Sequence, residues 1–132
     1  MDSTFFLRIL SVGTGGFIGT VSRYLISLWL NEKYPTSLIP YGTLLVNVIG
    51  SFLLGVFMEL STCIPMNSTV RLFITTGIMG GLTTFSTLSF ETMALVYDGS
   101  YSSAFLNIAV NLLFGLGSAF GGKEIVDVLF RI

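Results

Sequence analysis

The chain has 132 residues, 52% of them hydrophobic and 10% charged, with a formal net charge of -1, whereas soluble domains run at about 25% charged. That composition excludes an ordinary soluble domain. The absence of histidine removes the usual general base, and the single cysteine, Cys63, leaves neither an intrachain disulfide nor a Cys/His transition-metal cluster. No basic run supports nucleic-acid binding, and no enzyme activity is expected.

The charged residues fall so that windows 34–58, 72–90 and 99–122 contain no Asp, Glu, Lys or Arg. Each is near the roughly 20 residues that a helix needs to cross a bilayer. A further apolar segment, from about Phe5 to Leu30, is interrupted in its interior by Arg23 alone, with Arg8 close enough to the end to snorkel. The expected architecture is an all-α membrane protein, one domain over residues 1–132, with helices at about 5–30, 39–60, 69–97 and 101–130. The first segment is too long and too glycine-rich for the core of a cleaved signal peptide.

In helix 1, Gly15 and Gly19 form a GxxxG pair that permits close helix approach. The first loop runs from Asn31 to Ser37 and includes Thr36. In helix 2, Thr43, Asn47, Ser51 and Gly55 recur at steps of four and share one slowly winding face; Ser51 and Gly55 also repeat the small-residue spacing. Ser61 to Ser68, with Pro65, forms the second loop.

Helix 3 carries the oddest segment. Its charge-free run contains Gly77, Gly80 and Gly81, then Thr83, Thr84, Phe85, Ser86 and Thr87. Lipid tails offer such groups no hydrogen bonds, so a break is expected here, tolerated only where it is buried in protein or lines a polar cavity. Thr84, Thr87 and Glu91 continue a polar face. After the tight turn Asp98-Gly99-Ser100, helix 4 places Asn107, Asn111 and Gly115 at steps of four. Each polar stripe has two readings: the lining of a solute path, or interhelical hydrogen bonds that hold the bundle together.

The N-terminal side, the second loop and the C-terminus carry Arg8, Arg71, Lys123 and Arg131, against Lys33 and Arg23 on the other side. The positive-inside rule then favours cytoplasmic termini, with a bias small enough to leave insertion in both orientations open. A cation path would want rings of carboxylates or converging carbonyls, yet only Glu91 lies deep, with Glu59 near the end of its helix. An anion wants donors: Asn amides, Ser and Thr hydroxyls, and the positive edge of a ring such as Phe85.

Four co-linear runs carry a family resemblance: GTGGFIGTVSRY (Gly13–Tyr24), PYGTLLVNVIGSFLLG (Pro40–Gly55), TTGIMGGLTTFSTLSFE (Thr75–Glu91) and NIAVNLLFG (Asn107–Gly115). Together they resemble the Fluc (CrcB) family of fluoride channels across all four helices. The resemblance implies an antiparallel, dual-topology homodimer with two fluoride pores and a structural sodium ion (Na+) at the dimer centre, on carbonyls of Gly80 and Thr83. It implies Asn47 as a fluoride-facing amide and Phe85 as the first of two pore phenylalanines. The second position holds Leu88, which has no ring edge to offer. A polar track would continue through Ser86, Thr87 or Glu91, with Asn107, Asn111 and Thr43 matched more loosely. Arg23 resembles a vestibule arginine that draws anions inward, or is a helix-end arginine snorkelling to headgroups.

The implied partners are a second copy of the chain, fluoride and the lipid membrane, in the plasma membrane of a prokaryote, the inner one if Gram-negative. The implied activity is passive fluoride export. A rival reading is a small multidrug-type proton-coupled exporter, a family that uses a carboxylate within helix 1; no Asp or Glu lies between Phe5 and Leu30. A third is an assembly subunit without transport, in which the polar stripes act as glue.

Overall fold

The computed structural model describes residues 3–35 and 37–130; Thr36 of the first loop and Arg131 of the topology charges lie outside the described residues. Among the described residues all regular structure is helical. Helix α1 spans Ser3–Lys33 and α2 spans Tyr41–Cys63. The third span, Ser68–Tyr97, is assembled from α3 (Ser68–Leu72), a π-helical stretch (Phe73–Met79), α4 (Gly80–Leu82) and α5 (Phe85–Tyr97). Helix α6 runs over Tyr101–Phe130. Four helices are thus long and apolar enough to cross a membrane.

The turn before α6 closes through Gly99, whose φ of 75° suits a residue without a Cβ. Ser100 N–H donates to Leu95 O at 2.8 Å and Gly99 N–H to Val96 O at 3.0 Å, satisfying carbonyls at the end of α5.

The distribution of side chains inverts that of a soluble protein. Phe17, Phe85, Phe90, Phe105 and Tyr97 are exposed, while two of the three largest fully buried side chains, Thr43 and Asn107, are polar. In a bilayer the surrounding solvent is as apolar as leucine, so burying Leu gains little and buried polar groups find partners inside the bundle. Glycine sets the spacing of α1 against the third span. A Cβ on Gly15 would run into Phe73 O and one on Gly19 into Ile78 O, while Gly77 and Gly81 face α1 from the other side at similarly close range. On the opposite side of the bundle α2 packs along α6, with Gly55 against Ala119 O and Gly122 against Phe52 O.

Two of the cationic residues weighed for orientation are engaged by oxygen partners. Lys123 lies 2.6 Å from Asp127, 3.6 Å from Glu124 and 3.9 Å from the buried Glu59. Arg8 donates to Ser68 Oγ at 3.3 Å. Their charges are therefore partly committed to joining helix ends and weigh less as topology signals.

Candidate functional site

Thr83 and Thr84, between α4 and α5, are extended: φ -81°, ψ 155° and φ -154°, ψ 117°. Thr83 closes the preceding helix with two bonds to one carbonyl, its N–H donating to Met79 O at 3.0 Å and its hydroxyl at 2.9 Å. Thr84 opens the next. Its hydroxyl accepts from Thr87 N–H at 3.2 Å, the N-cap bond for which threonine is suited.

Backbone made extended at membrane depth needs partners, and α2 supplies them. Asn47 Oδ1 accepts from Thr84 N–H at 2.8 Å while Asn47 Nδ2 donates to Thr84 O at 3.3 Å. One carboxamide thus pairs with both backbone groups of one extended residue, as a residue on a neighbouring strand would. The second N–H of Asn47 donates to Asn111 Oδ1 at 3.0 Å. Asn111 in turn donates to Asn107 O at 2.9 Å and Asn107 Oδ1 at 3.2 Å, and Asn107 donates to Thr92 Oγ1 at 3.1 Å. This chain of bonds runs from the extended pair into the centre of the bundle, where Asn107 is fully buried.

In the other direction the Thr84 hydroxyl donates to Thr87 Oγ1 at 3.0 Å and lies 3.2 Å from Ser86 Oγ. That spends the one Thr84 hydrogen, so in its contact with Ser86 it is Ser86 that donates, while Thr87 Oγ1 accepts and keeps its own O–H for another acceptor. Thr43, one turn before Asn47, donates to Glu91 Oε1 at 2.8 Å, while Glu91 Oε2 is buried with no partner among the described residues.

A cavity of about 320 Å3 gathers Asn47, Ser51, Thr83, Thr84, Phe85, Leu88, Asn111 and Gly115 from α2, the third span and α6. Four of the side chains singled out as pore-lining, Asn47, Phe85, Leu88 and Asn111, therefore meet in one place. Phe85 is 79% exposed on the outer surface of the protomer, whereas Leu88 is buried and forms part of the cavity wall. Ser86 and Thr87 reach the cavity through Thr84. Thr43 and Glu91 form a separate pair, and Glu91 borders a second cavity of about 270 Å3 with Asn31, Tyr34 and Ser37. Asn107 stands behind Asn111. Arg23 is half-buried on α1 and makes no hydrogen bond or ion pair with a described residue.

Family models match residues 10–123 of the chain as "CrcB-like protein, Camphor Resistance (CrcB)". The chain belongs to the CrcB family. Three relatives, each named fluoride-specific ion channel FluC, come from Campylobacter fetus, Shewanella woodyi and a Roseiflexus species. The first is 42% identical over 125 residues, 95% of this chain and 98% of the relative. The second is 44% identical over 119 residues, 90% and 95%, and the third 42% over 124 residues, 93% and 99%. With its four spanning helices, this CrcB chain is a multi-pass membrane protein of a channel family.

Three residues of the arrangement were not among the candidates drawn from sequence as site residues: Thr84, Ser51 and Thr92. Steps of four from Thr84 pass through Leu88 to Thr92, a face distinct from the Thr84, Thr87, Glu91 series. Following both faces would have reached the threonine that partners Asn107.

Gly80 and Thr83 were proposed as cation ligands from the resemblance, and the local chemistry fits such a group. A continuous helix would direct Thr84 N–H to Gly80 O and Thr87 N–H to Thr83 O. Both donors are instead diverted, to Asn47 Oδ1 and Thr84 Oγ1. Gly80 lies on the protomer surface, and a Cβ there would meet only Thr75 O, at 4.0 Å.

Proposed function

We propose that this protein is a fluoride-selective channel that lets the anion leave the cytoplasm passively. The observation that carries the reading is the donor chemistry around the Asn47–Thr84–Asn111 cavity: hydroxyls and amides linked in series, with the exposed Ser86 hydroxyl and the uncommitted O–H of Thr87 beside the exposed ring of Phe85. Neutral donors solvate a small anion without trapping it as a fixed cation would. The names of the relatives, 42–44% identical over nearly their whole lengths, support the same substrate.

On this reading Phe85 offers its ring edge, Thr87 its uncommitted hydroxyl, Ser86 its hydroxyl by turning from Thr84, and Leu88 an apolar wall that narrows the path. Asn47 and Asn111 have both amide hydrogens committed to protein acceptors, so they act by holding the path's shape and polarity. Thr43 and Glu91 continue the polar track toward the first loop, with Asn107 bracing it from behind. Arg23 supplies positive potential at the entrance.

The functional unit is an antiparallel homodimer with two pores, inserted in both orientations in a prokaryotic plasma membrane, the inner one in a Gram-negative cell. Phe85 and Gly80 are both exposed on the protomer, and a second copy would enclose both. Gly80 and Thr83 would hold a structural sodium ion with their freed carbonyls, and its charge would favour anions nearby.

Hydrogen fluoride crosses membranes uncharged and dissociates in a near-neutral cytoplasm, so the inside-negative potential drives the trapped anion out through a passive pore. The decisive experiment loads liposomes containing the purified protein with fluoride and follows efflux with a fluoride electrode. Rapid, potential-driven efflux is expected. Trapped fluoride combined with proton-driven release of a cationic dye would instead establish the multidrug-type exporter; neither activity would leave an assembly subunit.

A further inference from the structure

The side chain of Asn47 does two things at once: it pairs with Thr84, and it removes the helix donor that would otherwise cover Gly80 O. We propose that Asn47 is a positioning residue for the cation site, keeping the Gly80 carbonyl open by holding Thr84 N–H on its own Oδ1. The inference rests on the reading of Gly80 and Thr83 as cation-binding carbonyls.

The competition is local and concerns one hydrogen atom. In a regular helix Thr84 N–H goes to Gly80 O; here it lies 2.8 Å from Asn47 Oδ1. An Asn47 that only accepted this bond could swing away with Thr84 if the helix closed. Its Nδ2 prevents that, because one hydrogen goes to Thr84 O at 3.3 Å and the other to Asn111 Oδ1 at 3.0 Å, which fixes the carboxamide plane and leaves Oδ1 aimed at Thr84. One turn further along the same face of α2, Gly50 completes the grip. The Thr83 methyl group lies where a Cβ on Gly50 would be, so Thr83 lies directly on the backbone of α2. Helix α2 therefore clamps both extended residues, Thr83 by the absence of a side chain at 50 and Thr84 by the carboxamide at 47.

The arrangement joins two functions that the residue roles above keep apart. Asn47 faces the cavity assigned to the anion, yet its bonding controls a carbonyl assigned to the cation. Loss of the Asn47 carboxamide returns Thr84 N–H to Gly80 O, and a cation must then displace a hydrogen bond to bind. Asn111 holds only one of the two Nδ2 bonds that orient Asn47, so its removal loosens the Thr84 pair less than loss of the carboxamide does.

The test is thermal unfolding of the purified full-length protein in detergent, titrated with sodium chloride against N-methylglucamine chloride at constant ionic strength. Wild type is expected to be stabilised by sodium. Asn47→Ala should need roughly tenfold more sodium for the same stabilisation, the equivalent of about one net hydrogen bond. Asn47→Ser, whose hydroxyl is too short to bridge both backbone atoms of Thr84, should behave alike and serves if the alanine variant does not assemble. Asn111→Ala, which removes one of the two bonds that orient the carboxamide, should shift the sodium midpoint by less than either Asn47 variant. An unchanged midpoint in both Asn47 variants overturns the inference while the cation site stands. A shift in Asn111→Ala as large as theirs also overturns it, because the loss would then follow the polar chain and not the Thr84 pair. Failure of sodium to stabilise wild type sinks the cation reading itself, and the inference with it.

Discussion

The third span is held from two sides by opposite means. Against α1 its middle lies backbone to backbone, with Gly15 and Gly19 meeting Phe73, Gly77, Ile78 and Leu82, and Gly81 meeting Gly16 and Thr20. Against α2 and α6 it is held by side-chain hydrogen bonds, Asn47 to Thr84, Thr43 to Glu91 and Asn107 to Thr92. The difference follows from what each partner must satisfy. The π-helical stretch makes its own backbone hydrogen bonds and needs only close contact, which glycine provides; the extended Thr83–Thr84 pair has backbone groups to satisfy and needs amides. Tight packing fixes where the third span sits, and the polar side leaves donors and a cavity open for function.

If the glycine side is purely steric, its disruption should be severe and independent of chemistry. Gly19→Val places a branched side chain against Ile78 O and Leu82 N. The expected cost is about 3 kcal/mol or more, since neither partner is a flexible side chain that can give way. It should appear as loss of monodisperse protein on size exclusion and a large fall in unfolding temperature. Gly16→Ala, one step off this face where nothing lies within 4 Å, should stay within ~0.5 kcal/mol of wild type. Equal effects for the two would remove the steric account.

The polar side should yield by smaller steps. Asn107→Leu deletes the donor to Thr92 and the side-chain acceptor for Asn111 in a fully buried position. A loss of about 1–3 kcal/mol is expected, the range for unpaired polar groups, with membrane bonds at its lower end. Thermal unfolding measures it, and fluoride efflux should fall in parallel because Asn111 and Asn47 lose their support. A neutral result would mean that the amide chain is dispensable to the bundle.

Much of this comparison is legible in the sequence, and the boundary is physical. Four charge-free or nearly charge-free windows reveal the spans because charge is excluded from lipid over a fixed thickness. The Gly15/Gly19 pair and the four-residue stripes through Asn47 and Asn111 are visible because helical periodicity puts them on one face. What the stripes bond to is another matter. That Asn47 pairs with the backbone of Thr84 depends on two dihedral pairs thirty-odd residues away, and no periodicity encodes that. The π-helical turns over Phe73–Met79 leave no mark of their own, since Gly77 would serve equally in an α-helix. Thr92 is hidden because it lies on a face neighbouring the Thr84, Thr87, Glu91 series, with the apolar Leu88 between it and Thr84.

Within the polar side, groups that hold the fold and groups that face the ion should separate. Ser86→Ala combined with Thr87→Val removes both hydroxyls while keeping the Thr84 pairing with Asn47. Fluoride efflux from liposomes should drop about tenfold or more, as a hydrogen bond to a charged group is worth roughly 1.5–3 kcal/mol. Stability should change by less than ~0.5 kcal/mol. A double variant that conducts normally would mean that the ion takes its donors elsewhere.

The smallest effect is expected at the one place where the chain departs from the paired-phenylalanine pattern. Leu88 is buried, which by itself would make Leu88→Phe an overpacking change costing about 1–3 kcal/mol. Yet its side chain borders the cavity of about 320 Å3 together with Phe85, so added ring atoms have space on one side. The net cost should therefore stay below ~1 kcal/mol, and the new ring edge should hold fluoride efflux at or above the wild-type rate. Unfolding and efflux must be read together. Retained stability with collapsed efflux would mean that the ring plugs the path, making the wall at Leu88 part of the pore's bore. Lost stability would place Leu88 with the glycines, a residue chosen for fit alone, and the line between the packed side and the polar side would then run through the cavity itself.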